Sequence, residues 1–343
     1  MEDKFKGCLL AAACGDALGY TVEFSSYESI ISMFGDNGIQ EMYLRDGVAR
    51  ISDDTQMSIY TAQGLIHSKE KKCDYQQTLM EIYKSYIRWY ALQQKYIPES
   101  KDNIYTVEEI QNDDIAIPPY RESLSSHRAP GMTCLSALES GKFGSRTVIL
   151  NDSKGCGGIM RVAPIALAYC NDPDTAYNLA CDASLLTHTH ILGYTPSGAL
   201  MLILIKLFSG IPLQDAVSST INELRFKPEC KTLVPVLEQA VQLVANKASR
   251  EEAYRKLGGG WVAEETLAIA IWAALTHPTD LRKAVALSVN HSGDSDSTGC
   301  VCGAIMGAAL GTSAIPKSWL ENLELKKLII KQVEQLSPPE EKK

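Results

Sequence analysis

The sequence predicts an all-α fold. Long segments repeat apolar residues at three-to-four spacing, strand candidates are few and short, and acidic clusters stand directly before helical patterns. With 343 residues and 45% hydrophobic composition, the chain can bury a substantial core. Length alone leaves one large domain or two ordinary ones open. The motifs favour one domain over 1–335, with a loop-rich insertion at about 98–130 and a polar tail at 336–343.

Taken in order, "MEDKFKGCLLAAACGDALG" has a charged start and an apolar run of only Cys8 to Cys14, which reads as a helix start rather than a signal peptide. "ARISDDTQMSIYTAQGL" sets Met57, Ile59, Tyr60 and Leu65 behind an acidic cluster. "DYQQTLMEIYKSYIRWYALQ" places Leu79, Ile82, Tyr83, Tyr86, Ile87 and Tyr90 on one helical stripe. "PESKDN", "QNDD" and "IPPY" mark the insertion, and "RTVIL" at 146–150 is a strand candidate. "ALMLILI" before Lys206 falls far below the roughly 18 residues that span a bilayer. "VPVLEQAVQLVANKA" and "EETLAIAIWAALTH" return to helical spacing. In "STGCVCGAIMGAALG", Gly299, Gly303 and Gly307 recur every fourth residue and would give a smooth helix face for close approach by another helix.

A net charge of −8 without any Lys/Arg run argues against a nucleic-acid partner, because such binding rests on phosphate neutralisation. Ten scattered cysteines without a CxxC pair fit free thiols in a reducing compartment. A cytoplasmic protein with no membrane association is expected.

Two motifs carry hard oxygen donors. In "NHSGDSDSTG", Asp294 and Asp296 flank Ser295 and precede Ser297 and Thr298; a helix cap needs one such oxygen, and here there are several. "ISDDTQM" repeats the device with Ser52, Asp53, Asp54 and Thr55. Carboxylates this dense repel one another unless a cation offsets them, and Mg²⁺ or Mn²⁺ accept such ligands where Zn²⁺ prefers sulfur or imidazole. Two copies suggest a two-cation centre. "NDSKGCGGIMRVAP" is a glycine-rich turn feeding a helix, suited to anions through its backbone amides although it lacks the GK[ST] of a P-loop. His188 and His190 are two residues apart and cannot share a helix face, so buried or capping roles are expected of them.

These stretches resemble the ADP-ribosylglycohydrolase family, which includes the dinitrogenase-reductase-activating glycohydrolase, and within it are most similar to the ADP-ribosyl-arginine hydrolases. The resemblance runs along nearly the whole chain: "GCLLAAACGDALG" with Glu23 close behind, "ISDDTQM", "HRAPGMTC", "KGCGGIMRVAP", "THTHILGYTPSGA", "LGGGWVAEETLAIAIWAA" and "HSGDSDSTG". It implies a single compact, orthogonal all-α domain with two Mg²⁺ ions, Mn²⁺ in some members, at the bottom of an ADP-ribose cleft. It implies Ser52, Asp53 and Asp54 as one group of metal ligands and Asp294, Asp296 and Ser297 as the other, while Thr298 falls outside the set. Gly155, Cys156, Gly157, Gly158, Ile159 and Met160 match the loop that cradles phosphates and ribose. His188 matches a position near the adenosine or ribose end, and Glu23 a mobile acidic residue near the metals in serine-directed relatives. "GCGG" and "GDSDSTG" look closer to arginine-directed relatives, whereas "GGGWVAEETLAIAI" follows a broad bacterial pattern, so serine, nucleic acid and small-molecule conjugates stay in view as acceptors.

The expected reaction removes ADP-ribose from a modified protein. Cleavage at the anomeric ribose carbon passes through an oxocarbenium-like state and needs a positioned water, a carboxylate to take its proton, and help for the leaving group. Asp53 or Asp54 is expected to combine metal binding with water activation, with Asp294 and Asp296 chiefly holding metal. Glu23, Glu264 and Glu265 are candidates for the acidic surroundings of a guanidinium leaving group. Asp294, Asp296 and Thr298 also fit the DxDxT pattern of haloacid-dehalogenase-type phosphohydrolases, but "VNHSG" is a poor strand end for it. A noncatalytic ADP-ribose-binding module would use the same cleft. The intact aspartates argue for activity.

Overall fold

The structure, a computed structural model, describes residues 1–337. Among them are eighteen α-helices, three short 3-10 turns and no strand. The all-α expectation holds.

Two helices form the spine. Glu2–Tyr20 and Ser295–Leu310 run antiparallel in direct backbone contact, pairing Gly7 with Gly307, Ala11 with Gly303, and Gly15 with Gly299. A Cβ at any of these glycines would strike the opposite main chain, so the small-residue stripe is what permits the approach. At its far end Gly19 lies against Ser295 and Asp296, bringing the exit of the first helix to the entrance of the other. Asp53–Lys71 packs beside this spine and Tyr75–Gln94 packs on its outer side, with Tyr60, Tyr83, Tyr86 and Trp89 buried between and around them. Asp74 and Gln77 close a reciprocal cap at the start of the latter helix.

Helix Ile191–Phe208 spans 18 residues with a mean hydropathy of 1.7, and 78% of it is buried within the fold. Packing inside the protein accounts for its composition. His190 caps this helix by accepting from Leu192 N at 3.0 Å, while His188 is buried in the turn before it, so the two histidines take the capping and buried roles. All ten cysteines are free.

The stretch "RTVIL" is a correction, since residues 146–150 form no strand. Ser145 and Val148 instead close a turn through Ser145 N to Val148 O (3.1 Å) and Val148 N to Ser145 Oγ (3.0 Å), leaving Ile149 exposed. Short apolar runs carry no strand without a partner edge. Segment 98–130 contains only the brief helices Val107–Gln111 and Arg121–Ser125. It docks on Asp53–Lys71 through Tyr60 Oη to Asp113 (2.7 Å) and Gln56 Nε2 to Ser123 O (2.8 Å). Within the tail at 336–343, residues 338–343 lie outside the described residues.

Candidate active site

Ser52 is the N-cap of helix Asp53–Lys71, its hydroxyl accepting from Asp54 N at 3.2 Å. A second residue reinforces the cap. The buried Asp16 accepts from Ser52 N (2.9 Å), Thr55 N (3.1 Å) and the Thr55 hydroxyl, taking up orphan amides of that helix. Asp53 and Asp54 are thereby spared capping work. Asp53 Oδ2 accepts from Gly131 N at 3.2 Å, whereas Asp54 Oδ2 is buried without a partner.

The segment leading into this cluster is clamped from behind. Arg128 donates to Ile51 O (3.2 Å) and to Glu324 (3.1 Å), Glu324 Oε2 accepts from Ile51 N (3.0 Å), and Arg128 O accepts from Asp53 N (3.1 Å).

The second cluster stands at the same end of the spine, at the entrance of Ser295–Leu310. Asp294 caps helix Ser295–Leu310 by accepting from Ser297 N at 3.2 Å, and its Oδ2 accepts from the Cys156 thiol at 2.9 Å. Asp296 Oδ1 accepts from Ser297 N at 3.0 Å. Glu23, just past the end of the first helix, completes the ring with a buried Oε2 that has no partner.

Between the clusters lies a cavity of about 320 Å³. Its wall includes Glu23, Asp53, Asp54, Gly155, Cys156, Gly157, Met160, His188, Asp294, Asp296 and Ser297. Ser52, Gly158 and Ile159 are buried behind this wall. In a larger hollow of about 590 Å³ the acids Asp46, Glu122, Glu321 and Glu324 are accompanied by Arg45, Arg50, Arg128 and Lys327, and one of about 1050 Å³ beside Tyr27 and Arg250 has only Glu28 and Glu251.

The glycine turn is fitted closely. A Cβ at Gly157 would come within 2.7 Å of Cys134 Sγ and 2.9 Å of the His188 ring. His188 Nδ1 pairs with the Thr187 hydroxyl at 2.8 Å, leaving Nε2 toward Gly155. Burial, with the nearby Arg161 charge, pushes the His188 pKa down to about 3, so the ring is neutral. Arg161 is itself buried without a carboxylate partner, donating to Thr187 Oγ1 (2.6 Å) and Ala183 O (3.2 Å), with its guanidinium 4.2 Å from the Tyr86 ring centroid.

Burial raises every carboxylate in the group, and repulsion between them adds to it for all but Asp294. Burial followed by Asp296 takes Asp16 to about 7, and burial followed by Asp296, Asp294 and Asp53 takes Glu23 to about 11. Asp53, Asp54 and Asp296 are driven well up by the same causes, and Asp294 is raised by burial but eased by hydrogen bonds from its neighbours. No Lys or Arg figures among the leading influences on these acids. Unpartnered buried oxygens on Asp54 and Glu23, in a set of hard donors, fit divalent cations. Among the described residues no three His, Cys, Asp or Glu groups form a ready-made cage, so such ions would draw further oxygens from hydroxyls, water or substrate.

Glu264 and Glu265 are not in the cavity wall. Glu264 pairs with Lys154, and Glu265 accepts from Gly259 N and Gly260 N, both at 3.1 Å. Conversely, Asp16, Arg128 and Arg161 were not singled out by sequence reasoning. Asp16 stands inside the quoted "GDALG" stretch, but only the fold shows that it faces Ser52 and Thr55.

Comparison with known proteins agrees with this architecture. The ADP-ribosylglycohydrolase family model matches residues 1–342. ADP-ribosylhydrolase ARH3 of Danio rerio is 25% identical, covering 94% of this chain and 87% of that protein. ADP-ribosylarginine hydrolase Tri1 of Serratia proteamaculans is also 25% identical, covering 97% of this chain and 79% of its own. A solved structure of an ADP-ribosylglycohydrolase-related protein complex matches with a TM-score of 0.66 at 26% identity, covering 98% of this chain and 97% of that one.

Proposed function

Because the chain belongs to the ADP-ribosylglycohydrolase family, we propose that its cavity removes ADP-ribose from modified proteins by hydrolysing the bond at the anomeric ribose carbon, with the N-glycosidic bond to arginine as the linkage. The observation that carries this reading is the meeting of two buried carboxylate clusters across a cavity bordered by a glycine-rich turn. The likeness to an ADP-ribosylarginine hydrolase over 97% of the chain supports the acceptor.

Two Mg²⁺ ions, or Mn²⁺ in their place, would be held by Asp53, Asp54, Asp294, Asp296 and Ser297, and would supply the positive charge that offsets these acids and orients the ribose hydroxyls. Ser52 serves chiefly as the cap that aims the first pair. Gly155, Cys156, Gly157 and Met160 border the space for the phosphates; Gly155 N, Cys156 N and Met160 N are engaged within the protein, which leaves the Gly157 N–H as the donor of this group. The neutral His188 gives this end a hydrogen-bonding ring without adding charge.

Water attack requires a carboxylate free to take a proton. Asp54 Oδ2 is unengaged, while Asp53 Oδ2 is occupied by Gly131 N, which favours Asp54 as the base. Glu23 faces Asp296 from the mouth of the cavity and is placed to assist departure of the acceptor nitrogen. A serine O-linkage would use the same residues and is the second reading, because the likeness to ADP-ribosylhydrolase ARH3, whose name specifies no arginine acceptor, equals that to the arginine hydrolase.

The test incubates the protein and Asp296→Ala with arginine- and serine-ADP-ribosylated peptides, with and without Mg²⁺, and measures free ADP-ribose. Metal-dependent release from the arginine peptide, lost in the variant, is expected. Release from the serine peptide alone overturns the linkage. Tight ADP-ribose binding without release from either would make the protein a binding module.

A further inference from the structure

Phe24 is 69% exposed and adopts φ 63°, a left-handed conformation rare for a bulky residue. It lies directly after Glu23. Glu23 faces the carboxylate clusters, while the Phe24 ring stacks on Trp261 with centroids 5.5 Å apart and planes inclined by 28°. Trp261 is 45% exposed, yet its main chain is fixed to the glycine turn, its carbonyl accepting from Cys156 N at 3.3 Å. Both rings line the same cavity as Asp54 and Asp294.

Large apolar side chains held in water lose the gain of burial, and a strained backbone needs an offsetting contact. The stacked pair supplies that contact and leaves aromatic surface at the cavity mouth, with a carboxylate just inside. The π surface is what recognises a planar cation, and the Glu23 carboxyl oxygens are there to accept its N–H groups. We propose that Phe24 and Trp261 form the acceptor subsite, packing the guanidinium of the modified arginine against their rings while Glu23 faces it from within. The rings set specificity and take no part in the chemistry. This inference rests on the arginine reading above.

The experiment compares Phe24→Ala, Trp261→Ala and Trp261→Phe with the parent protein, using kcat/KM on an arginine-ADP-ribosylated peptide and calorimetric Kd for free ADP-ribose. Both alanine variants are expected to lose about tenfold in kcat/KM, as for a cation–π contact of about that strength, with ADP-ribose affinity held within twofold and Trp261→Phe largely retaining activity. A parallel fall in ADP-ribose affinity overturns the proposal, because the rings would then read the adenosine moiety. Unchanged kcat/KM in both alanine variants overturns it as well, while the arginine reading survives. A parent protein that binds ADP-ribose but leaves the arginine linkage intact refutes the arginine reading, and this inference falls with it.

Discussion

Replacing Gly303 by alanine tests how the two acidic clusters are brought together, because local and tertiary effects have opposite signs. In an isolated helix the change stabilises by about 1 kcal/mol through backbone entropy. Here the new Cβ would lie 2.6 Å from the Ala11 carbonyl carbon and 3.0 Å from Ala12 Cα, both main-chain atoms of the neighbouring helix. The helices must separate along the stripe shared by Gly7, Gly15, Gly299 and Gly307, and overpacking of this kind costs about 1–3 kcal/mol or more. A net loss of about 2 kcal/mol is expected. At roughly 2.1 cal/mol/K per residue, the 343 residues have an unfolding entropy near 0.7 kcal/mol/K, so Tm should fall by about 3 °C. The same displacement moves Asp294 and Asp296 relative to Asp16 and Glu23, and a shift of about 1 Å at such a site can cost about 100-fold in rate. Differential scanning calorimetry and ADP-ribose release measure the two effects. A rise in Tm with activity retained would refute close backbone contact as the device that assembles the site.

Asp54→Asn should lower ADP-ribose release by about 10²–10⁴-fold, yet raise Tm in EDTA, because the buried carboxylate is driven up by burial and its acidic neighbours and its removal relieves that penalty. A lower Tm in EDTA would contradict the electrostatic account. His188 carries a pH signature: its folded pKa near 3 lies below the ordinary 6.5, so the unfolded chain takes up the proton first. Its contribution is full above pH 6.5 and is lost as pH falls toward 3. His188→Gln should flatten the stability profile over that window in chemical denaturation, and an unchanged slope would count against a neutral buried ring. Arg128→Met strands the Glu324 carboxylate, whose side chain is 9% exposed, and should cost about 3–5 kcal/mol in urea titration. A loss under 1 kcal/mol would show that the clamp behind Ile51 contributes little.

Helical periodicity was legible wherever an amphipathic face met a one-sided core, as in 75–94, and a cap preceding an apolar pattern located the start of Asp53–Lys71. The run "RTVIL" misled because β propensity describes fit to a sheet, and no sheet is present among the described residues to receive it. Glu264 and Glu265 looked available because composition does not reveal partners; folding gives one to Lys154 and the other to two backbone amides. The aromatic pair of Phe24 and Trp261 joins residues far apart in the chain, with no local pattern linking them.

By itself the sequence determined the helical class, the two acidic motifs and the glycine stripe, since each arises from neighbours within a turn or two of one helix. Only the tertiary structure decided that the stripe's partner is Glu2–Tyr20, that Asp16 takes over the capping of Asp53–Lys71, and that Glu23 meets Asp296. Those relations depend on which surfaces can exclude water together. That is settled by packing across the whole chain, where a missing Cβ at Gly15 or Gly303 lets carboxylates hundreds of residues apart share one cavity.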